Sequence, residues 1–248
     1  MDLSSLNNRQ KQAVTAPLGP VLVLAGAGSG KTRVLTYRIA YVIEQGMMSP
    51  EKILAVTFTN KAAKEMQNRI MRLLVTEKDV RKITGQPTLG TFHSIGARLL
   101  RREISQLGYA PNFVILDSDD QLKIIKDILS ELHIPKQYGA TLFRAYISSA
   151  KNLLQTPQEF NVGLDGYLHD LVQQVYVRYQ NFIYKQNNLD FDDLLMLPIK
   201  IFEAFPQTLR RYQELWQYIL VDEYQDTNQA QYMFLHLLST HRNLFVVG

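Results

Sequence analysis

Short apolar runs and helical patterns alternate along the first part of this chain. The run VLVLAG leads into glycines and is followed by residues 32–45, where apolar side chains recur every three to four positions. The run ILAV is followed in the same way by residues 60–74. Strands that alternate with helices predict a parallel sheet covered on both faces, and hence an α/β fold.

A different pattern occupies the middle of the chain. From about residue 117 to residue 186, helical periodicity is nearly continuous, with breaks at Pro135, Gly139 and Pro157. The polar run DSDDQ at its start is typical of a helix N-cap. The sequence therefore predicts an all-helical insertion.

Strand and helix patterns of the first kind lie on either side of this insertion. TLGT turns into a helix before it, while YILV, a helix at 228–238 and LFVV follow it. We expect the strands on both sides to share one sheet. The predicted parts are an α/β domain of residues 1–112 and 189–248 and a helical subdomain of residues 113–188.

The composition is that of an ordinary soluble globular protein, with 46% hydrophobic and 20% charged residues. The chain has no cysteine, which excludes disulfides, thiolate zinc sites and cysteine nucleophiles and fits a reducing compartment. Its start lacks a signal-peptide pattern, and no apolar run approaches the roughly 20 residues that cross a bilayer. We therefore expect a cytoplasmic protein without a membrane partner.

Positive charge is concentrated at the start of the chain. Residues 1–112 contain 16 Lys and Arg against 7 Asp and Glu, whereas residues 189–248 contain 4 against 8. A basic segment of this kind could follow a phosphate backbone. It is more commonly solvated surface, however, so charge alone does not identify a partner.

The glycine-rich turn after the first predicted strand has the features of a phosphate-binding loop. In GAGSGKT, small residues allow backbone N–H groups to converge on phosphate oxygens at a helix N-terminus. Lys31 would neutralise the β- and γ-phosphates, and the Thr32 hydroxyl would bind Mg²⁺. The strict pattern has glycine where this chain has Ala25, a small residue that the turn can accommodate. The candidate nucleotide-binding residues here are Ala25, Gly26, Ala27, Gly28, Ser29, Gly30, Lys31, Thr32 and Arg33.

An acidic pair follows the predicted strand YILV. Asp222 would hold Mg²⁺ through water, and Glu223 would orient and deprotonate the attacking water. An acidic loop after a strand is by itself more commonly a solvated turn or a helix cap, but its occurrence with the phosphate loop favours a magnesium triphosphate site. Arg33, directly behind the loop, would either pair with this acidic segment or remain a solvated helix residue.

Five ordered motifs give the chain a specific resemblance. It resembles the first motor half of superfamily I DNA helicases of the UvrD/Rep/PcrA type. The resemblance implies a RecA-like P-loop NTPase domain that uses ATP and Mg²⁺, moves 3′ to 5′ on single-stranded DNA and serves DNA repair or replication. The motifs are AGAGSGKT, VTFTNKAAKEM, GTFHS, LDFDDLL and VDEYQDTNQAQ.

The same resemblance assigns further residues to the nucleotide. Gln10, in LNNRQKQAV, would read the adenine edge with its amide, which is both a donor and an acceptor. Without the resemblance, this segment would be an ordinary amphipathic helix. Gln225 and Asp226 resemble a relay between the γ-phosphate and DNA. The candidate catalytic residues are Lys31, Asp222, Glu223 and Gln225.

Two motifs of the resemblance are candidate DNA contacts. Phe58 would stack on a base while Thr59 and Asn60 bond phosphates, although a buried core phenylalanine is an equal alternative. Thr91 and His93 would lie at the DNA backbone, although a lone histidine is more often packed or solvated. The histidines lack metal-ligand spacing.

The LDFDDLL segment is better explained as the start of a helix. Asp190 is placed to cap it, and Phe191 and Leu194 are expected to face inward. The resemblance places this segment near the DNA path, which gives it only weak support as a contact.

The expected partners are single-stranded DNA, single-strand/duplex junctions and a second RecA-like domain of the same full-length chain. That second domain would supply the arginines that stabilise the transferring phosphoryl group, so we expect this portion alone to be inactive. Two alternatives remain open: the helicase subunit of a recombination helicase-nuclease, and a non-hydrolysing module that binds nucleotide and DNA.

Overall fold

The computed structural model describes residues 1–26, 28–74, 85–163 and 166–248. The strands are β1 (Val21–Val23), β2 (Ile53–Thr57), β3 (Thr88–Thr91), β4 (Val114–Ile115), β5 (Asn188–Leu189), β6 (Tyr218–Val221) and β7 (Leu244–Val247). The α-helices are α1 (Asn8–Val14), α2 (Lys31–Glu44), α3 (Asn60–Leu74), α4 (Phe92–Glu103), α5 (Ser118–Glu131), α6 (Ala140–Asn152), α7 (Gly166–Lys185), α8 (Asp193–Ala204), α9 (Pro206–Leu215) and α10 (Gln229–Leu238).

Contacts between residues divide the chain into two compact units. The first contains Met1–Ile95, Phe205–Thr227 and Leu235–Gly248. The second contains Gly96–Ala204 and Asn228–Phe234. Within the described ranges, no helix is long and apolar enough to cross a membrane.

A parallel sheet of five strands, in the order β1–β7–β6–β2–β3, forms the centre of the first unit. Its register pairs Val56 with Val221 and Leu220 with Phe245. β2 and β6 lie inside the sheet and are buried along their whole length, which explains why both are continuous apolar runs in the sequence. The predicted α/β fold with a parallel sheet is confirmed.

Helix α2 belongs to the core of the first unit. Val34, Leu35, Ile39 and Val42 are almost fully buried in the same apolar cluster as residues of the sheet. Burying each such side chain contributes roughly 1.5–3 kcal/mol to folding. The helix begins and ends one residue earlier than the predicted range of 32–45.

Helix α3 has the predicted bounds and one buried face. Ala63, Met66 and Ile70 are buried at helical spacing, while the opposite face is exposed. The Thr59 hydroxyl accepts a hydrogen bond from the backbone N–H of Ala62 at 3.1 Å and so caps the first turn. The local pattern was sufficient to predict this element.

The second unit contains α5, α6 and α7, which enclose an apolar cluster that includes Ile125, Phe143 and Val175. These helices are separated near the predicted breaks. A carboxylate oxygen of Asp117 accepts hydrogen bonds from the backbone N–H groups of Asp119 and Asp120, each at 2.9 Å. The N-cap predicted for the DSDDQ run is therefore confirmed.

The prediction that residues 113–188 are entirely helical was wrong in one respect. β4 and β5 form a short parallel pair in which Val114 lies opposite Asn188 and Ile115 lies opposite Leu189. Strands of two residues have too few positions to show a period of two, so no hydrophobic pattern predicts them.

The LDFDDLL segment begins α8 with a reciprocal pair of hydrogen bonds. Asp190 Oδ1 accepts from the N–H of Asp193 at 3.0 Å, and Asp193 Oδ2 accepts from the N–H of Asp190 at 3.1 Å. The predicted cap at Asp190 and the inward position of Leu194 are confirmed. The inward position of Phe191 was wrong, because its side chain is 52% exposed. The reciprocal bonds direct the two carboxylates inward, and Phe191 lies between them on the outward side.

Candidate functional site

The candidate site lies where β1 and β6 end at the carboxyl edge of the parallel sheet. β7 lies between these two strands, pairing Val23 with Val247 and Val221 with Val246. Strands separated by one neighbour are roughly 10 Å apart, a distance that a lysine and a glutamate side chain can span together when they extend towards each other. The sheet order therefore brings the glycine-rich loop close to the acidic pair.

The loop between β1 and α2 depends on glycine at Gly30. Its φ is +86°, in the left-handed region, and it is the residue that precedes the first turn of α2. A β-carbon there would lie 3.0 Å from Nε2 of Gln10, closer than side chains normally approach. Ala25 lies outside the left-handed region, and its N–H donates to the carbonyl of Gly248 at 2.8 Å, so alanine is tolerated. Ala27 lies outside the described residues.

Thr32 and Asp222 form the oxygen-rich part of the site. The Thr32 hydroxyl donates to Oδ2 of Asp222 at 2.8 Å, and the Asp222 side chain is almost fully buried. Burial raises the pKa of Asp222, partly offset by the hydrogen bond from Thr32. A hydroxyl and a carboxylate are ligands that suit Mg²⁺. Among the described residues no cluster of three or more His, Asp or Glu could hold a metal alone, so Mg²⁺ would need phosphate oxygens and water as further ligands.

Lys31 and Glu223 form an ion pair across the same site. Lys31 Nζ lies 2.7 Å from Oε2 of Glu223, and the two side chains are 14% and 38% exposed. The hydrogen bond between them raises the pKa of Lys31 and lowers the pKa of Glu223. Gln225 Nε2 donates to Oε2 of Glu223 at 2.8 Å and to Asp226 at 3.1 Å. Lys31 and Glu223 are therefore both charged, and held together, at neutral pH.

Gln10 joins α1 to the glycine-rich loop. Its Nε2 donates to the carbonyl of Ser29 at 3.0 Å, and its Oε1 accepts from the backbone N–H of Asn7 at 3.1 Å. Beside it lies a cavity of about 320 Å³, a volume in the range of small-ligand pockets. The lining residues include Asn7, Gln10, Leu24, Ala25, Ser29 and Lys31.

Arg33 faces a second cavity of the first unit. Its guanidinium lies over the ring of Tyr37, 5.6 Å from the ring centre, and does not pair with the acidic segment. Arg69 and Arg72 line the same cavity. The sequence left two alternatives for Arg33, an ion pair with the acidic segment or a solvated helix residue. The structure shows a third arrangement, in which Arg33 is half-buried and makes a cation–π contact.

Phe58, Thr59 and Asn60 lie where β2 ends and α3 begins. Phe58 is half-buried and contacts the ring of Phe92 edge-on, with ring centres 5.9 Å apart. Thr59 and Asn60 are exposed. Phe58 is therefore partly a core residue, and the exposed part of its ring remains accessible beside two polar side chains.

Thr91 and His93 begin α4. Thr91 is 8% exposed, its hydroxyl accepts from the N–H of Ser94 at 3.2 Å, and its own N–H donates to the Ser94 hydroxyl at 2.9 Å. Thr91 is thus a helix cap in this structure. Burial lowers the pKa of the half-buried His93 to about 4, which leaves its imidazole neutral at physiological pH.

Comparison with known proteins gives a consistent result. Residues 6–248 match the family described as the UvrD/REP helicase N-terminal domain. The chain is 48% identical over 248 residues to the ATP-dependent DNA helicase PcrA of Bacillus subtilis, covering 99% of this chain and 33% of that protein. It is 45% identical, with the same coverage, to the PcrA helicases of Staphylococcus epidermidis and Staphylococcus aureus.

The chain belongs to the UvrD/REP helicase family. It spans about a third of the length of the curated relatives that it matches, since it covers 33% of the Bacillus subtilis protein. In this helicase domain, four of the residues predicted for the nucleotide lie within hydrogen-bonding distance of one another in two pairs, Lys31 with Glu223 and Thr32 with Asp222.

Sequence reasoning missed the exposed position of Phe191 and the burial of Arg38. Phe191 is exposed, and the signal that could have revealed this is its place between two aspartates that cap the same helix. Arg38 is completely buried in α2, four residues after Val34 and four before Val42 on one face. The helical periodicity of α2 predicts an apolar residue at this position. A charged residue there is a signal that its side chain has specific buried partners.

Proposed function

We propose that the chain is the N-terminal part of an ATP-dependent DNA helicase that moves 3′ to 5′ along single-stranded DNA. One observation carries the proposal. Two pairs of residues meet at one edge of the sheet: Lys31 with Glu223, and Thr32 with Asp222. The two members of each pair are about 190 positions apart in the chain, as Thr32 and Asp222 illustrate. Their combination of one cation, one hydroxyl and two carboxylates suits a magnesium nucleoside triphosphate.

Nucleotide binding would change the partner of Lys31. In the structure its ammonium group is paired with Glu223. Triphosphate oxygens at the glycine-rich loop would offer Lys31 a more highly charged partner, and Glu223 would then be released to accept a proton from water. Thr32 and Asp222 would hold Mg²⁺, which when bound neutralises charge on the phosphates. Gln225 would remain hydrogen-bonded to Glu223 and orient its carboxylate.

A strand of DNA would lie along the exposed residues after β2. The accessible face of Phe58 would stack on a base, and Thr59 and Asn60 would bond the backbone. Thr91 would position this surface as the cap of α4, and the neutral His93 would donate a hydrogen bond to a phosphate. The exposed ring of Phe191 is a further stacking candidate in the second unit.

The proposed domains are a RecA-like domain of residues 1–112 and 189–248 and a subdomain of residues 113–188. The relatives are named ATP-dependent DNA helicases and are about three times longer. We propose that a second RecA-like domain of the full-length protein supplies arginine to the γ-phosphate, and that single-strand/duplex junctions are its substrates. ATP would close the cleft between the two RecA-like domains, and hydrolysis would reopen it.

Replacement of Lys31 tests this proposal in the full-length protein. Lys31→Ala should abolish the ATPase activity that single-stranded DNA stimulates, because it removes the charge that stabilises the transferring phosphoryl group. Phosphate release would be measured with and without DNA, and circular dichroism would establish that the variant is folded. Lys126→Ala, the same change at an exposed lysine on α5, is the matched control and should retain activity. Turnover of Lys31→Ala at the normal rate would refute the assignment.

A further inference from the structure

Arg38 is a buried charge that the proposed chemistry does not use. Its side chain is 0% exposed, and it occupies the apolar face of α2. Transfer of a charged group from water to a protein core is costly unless strong partners replace the water. The partners of Arg38 therefore indicate why the residue is there.

Every partner of the Arg38 guanidinium is an uncharged dipole or a ring. Its NH1 group donates to the carbonyls of Val14, at 2.9 Å, and Ala16, and its NH2 group donates to the carbonyl of Pro17 at 3.1 Å. Nε donates to the hydroxyl of Tyr218 at 2.7 Å, and the rings of Tyr218 and Phe245 lie 5.5 and 5.6 Å away. We call this set the carbonyl clamp.

The carbonyl clamp fixes one end of α1. Val14 is the last residue of that helix, and Ala16 and Pro17 belong to the segment that leaves it. Carbonyls at a helix C-terminus lack intrahelical partners and carry partial negative charge, so a cation there is favourable. Arg38 thereby ties the end of α1 to α2, the helix that follows the glycine-rich loop.

The other end of α1 is tied to the glycine-rich loop through Gln10. Gln10 forms a reciprocal cap with Asn7 and donates to the carbonyl of Ser29. A glutamine amide has two N–H groups and an oxygen with two lone pairs. After these bonds, one N–H and one lone pair remain for a ligand in the cavity of about 320 Å³.

We propose that Arg38 is a positioning residue for recognition of the nucleotide base. By holding α1 at its far end, the carbonyl clamp keeps the remaining donor and acceptor of Gln10 aimed at a purine edge that offers one acceptor and one donor, as adenine does. The inference rests on the proposed function. The planar fork of arginine meets three carbonyls in fixed directions, which the single ammonium of lysine cannot do.

Base selectivity tests this role separately from phosphate binding. Dissociation constants for Mg²⁺-ATP and for Mg²⁺-inosine triphosphate, whose base lacks the donor at position 6, would be measured with the full-length protein. Arg38→Met should weaken ATP binding by roughly tenfold, about one hydrogen bond, and leave inosine triphosphate binding nearly unchanged because Lys31 and Thr32 are intact. Gln10→Ala should do the same.

A double-mutant cycle decides whether Arg38 acts through Gln10. The double variant should be no less selective than Gln10→Ala alone, because the amide that Arg38 positions is already absent. If the losses of selectivity in the two single variants add up in the double variant, or if Arg38→Met keeps wild-type selectivity, the inference is overturned. Lys126→Met, on the exposed face of α5, is the control and should retain selectivity.

Thermal unfolding would establish that each variant is folded. If Arg38→Met is not recovered folded, Arg38→Lys decides the question in the same way, since it keeps the charge but cannot satisfy the three carbonyls. A wild-type protein that binds neither triphosphate would contradict the proposed function itself. A wild-type protein that binds both equally would overturn only the inference about base recognition.

Discussion

His93 illustrates how burial limits the chemistry of a single residue. Because burial lowers its pKa to about 4, His93 is neutral near pH 7 and would meet a DNA phosphate as a hydrogen-bond donor without a positive charge. A contact of this kind adds no counterion release, so it would leave the salt dependence of DNA binding unchanged. Under the proposed function, the basic side chains of the domain would then account for that dependence.

The stability of the folded chain should fall in acid because of His93. Its pKa is lower in the folded state than its ordinary value of 6.5, so protonation favours the unfolded chain. The contribution is fully present above about pH 6.5 and is lost as the pH falls towards 4. After a discount for partial exposure, we expect a loss of about 1 kcal/mol between pH 7 and pH 5.

Urea unfolding of wild type and of His93→Gln at these two pH values measures this loss. The variant has no imidazole to protonate, so its free energy of unfolding should fall less than that of wild type over the same interval. Equal losses in the two proteins would mean that His93 does not contribute.

At the scale of elements, a buried lysine joins two helices of the second unit. Lys151 in α6 lies 2.7 Å from Asp190 and 2.8 Å from Asp193 at the start of α8, and all three side chains are at most 1% exposed. Burial disfavours the charged lysine, but the two carboxylates outweigh it and raise the pKa of Lys151. Burial and the neighbouring Asp190 raise the pKa of Asp193 to about 7. The Tyr179 hydroxyl donates to Asp190 at 3.1 Å.

Lys151→Met should destabilise the chain strongly at neutral pH. The change leaves two carboxylates buried without a cation, which costs about 3–5 kcal/mol. The deficit should shrink as the pH falls, because a protonated carboxyl group can be buried at lower cost. Urea unfolding near pH 7.5 and near pH 5.5 measures both effects. Lys126→Met, on the exposed face of α5, is the control, and equal stability of the two variants would contradict the role assigned to Lys151.

The sequence predicted elements well where periodicity is local. α3 and β6 have the predicted bounds because their burial patterns are complete within each segment. The ion pairs of Lys151 could not be predicted, since they join residues about 40 positions apart, at 151 and 190, and depend on how helices pack. The exposed position of Phe191 was missed although a local signal exists, because Asp190 and Asp193 cap the same helix and occupy the inward direction.

The sequence predicted the motifs of the candidate site, but not the contacts between them. The glycine-rich loop and the acidic pair were recognisable because each motif follows an apolar strand, and parallel strands bring such ends together. The pairing of Lys31 with Glu223 was not predicted, because the sequence assigned Lys31 to the phosphates and Glu223 to the attacking water, and neither residue to the other. The carbonyl clamp of Arg38 was also missed, since backbone carbonyls leave no mark in a sequence.

At the scale of the whole molecule, the single tryptophan provides a way to follow the first unit alone. Trp216 is 5% exposed and lies in that unit, so its fluorescence reports the unfolding of the sheet domain. Far-ultraviolet circular dichroism reports both units. A ligand that binds at the glycine-rich loop should therefore shift the fluorescence transition most.

Mg²⁺-ATP should stabilise the 248-residue chain without being hydrolysed quickly. At a concentration 100 times the dissociation constant, binding contributes about 2.7 kcal/mol, which corresponds to a rise of roughly 5–10 °C in the unfolding temperature of the first unit. Under the proposed function, hydrolysis should remain slow even with single-stranded DNA, because the arginine that stabilises the γ-phosphate would come from the proposed second domain. Thermal scans with and without nucleotide, together with phosphate release, measure the two expectations. Lys31→Ala should show no shift, whereas rapid phosphate release by the wild-type chain alone would mean that its site is already complete.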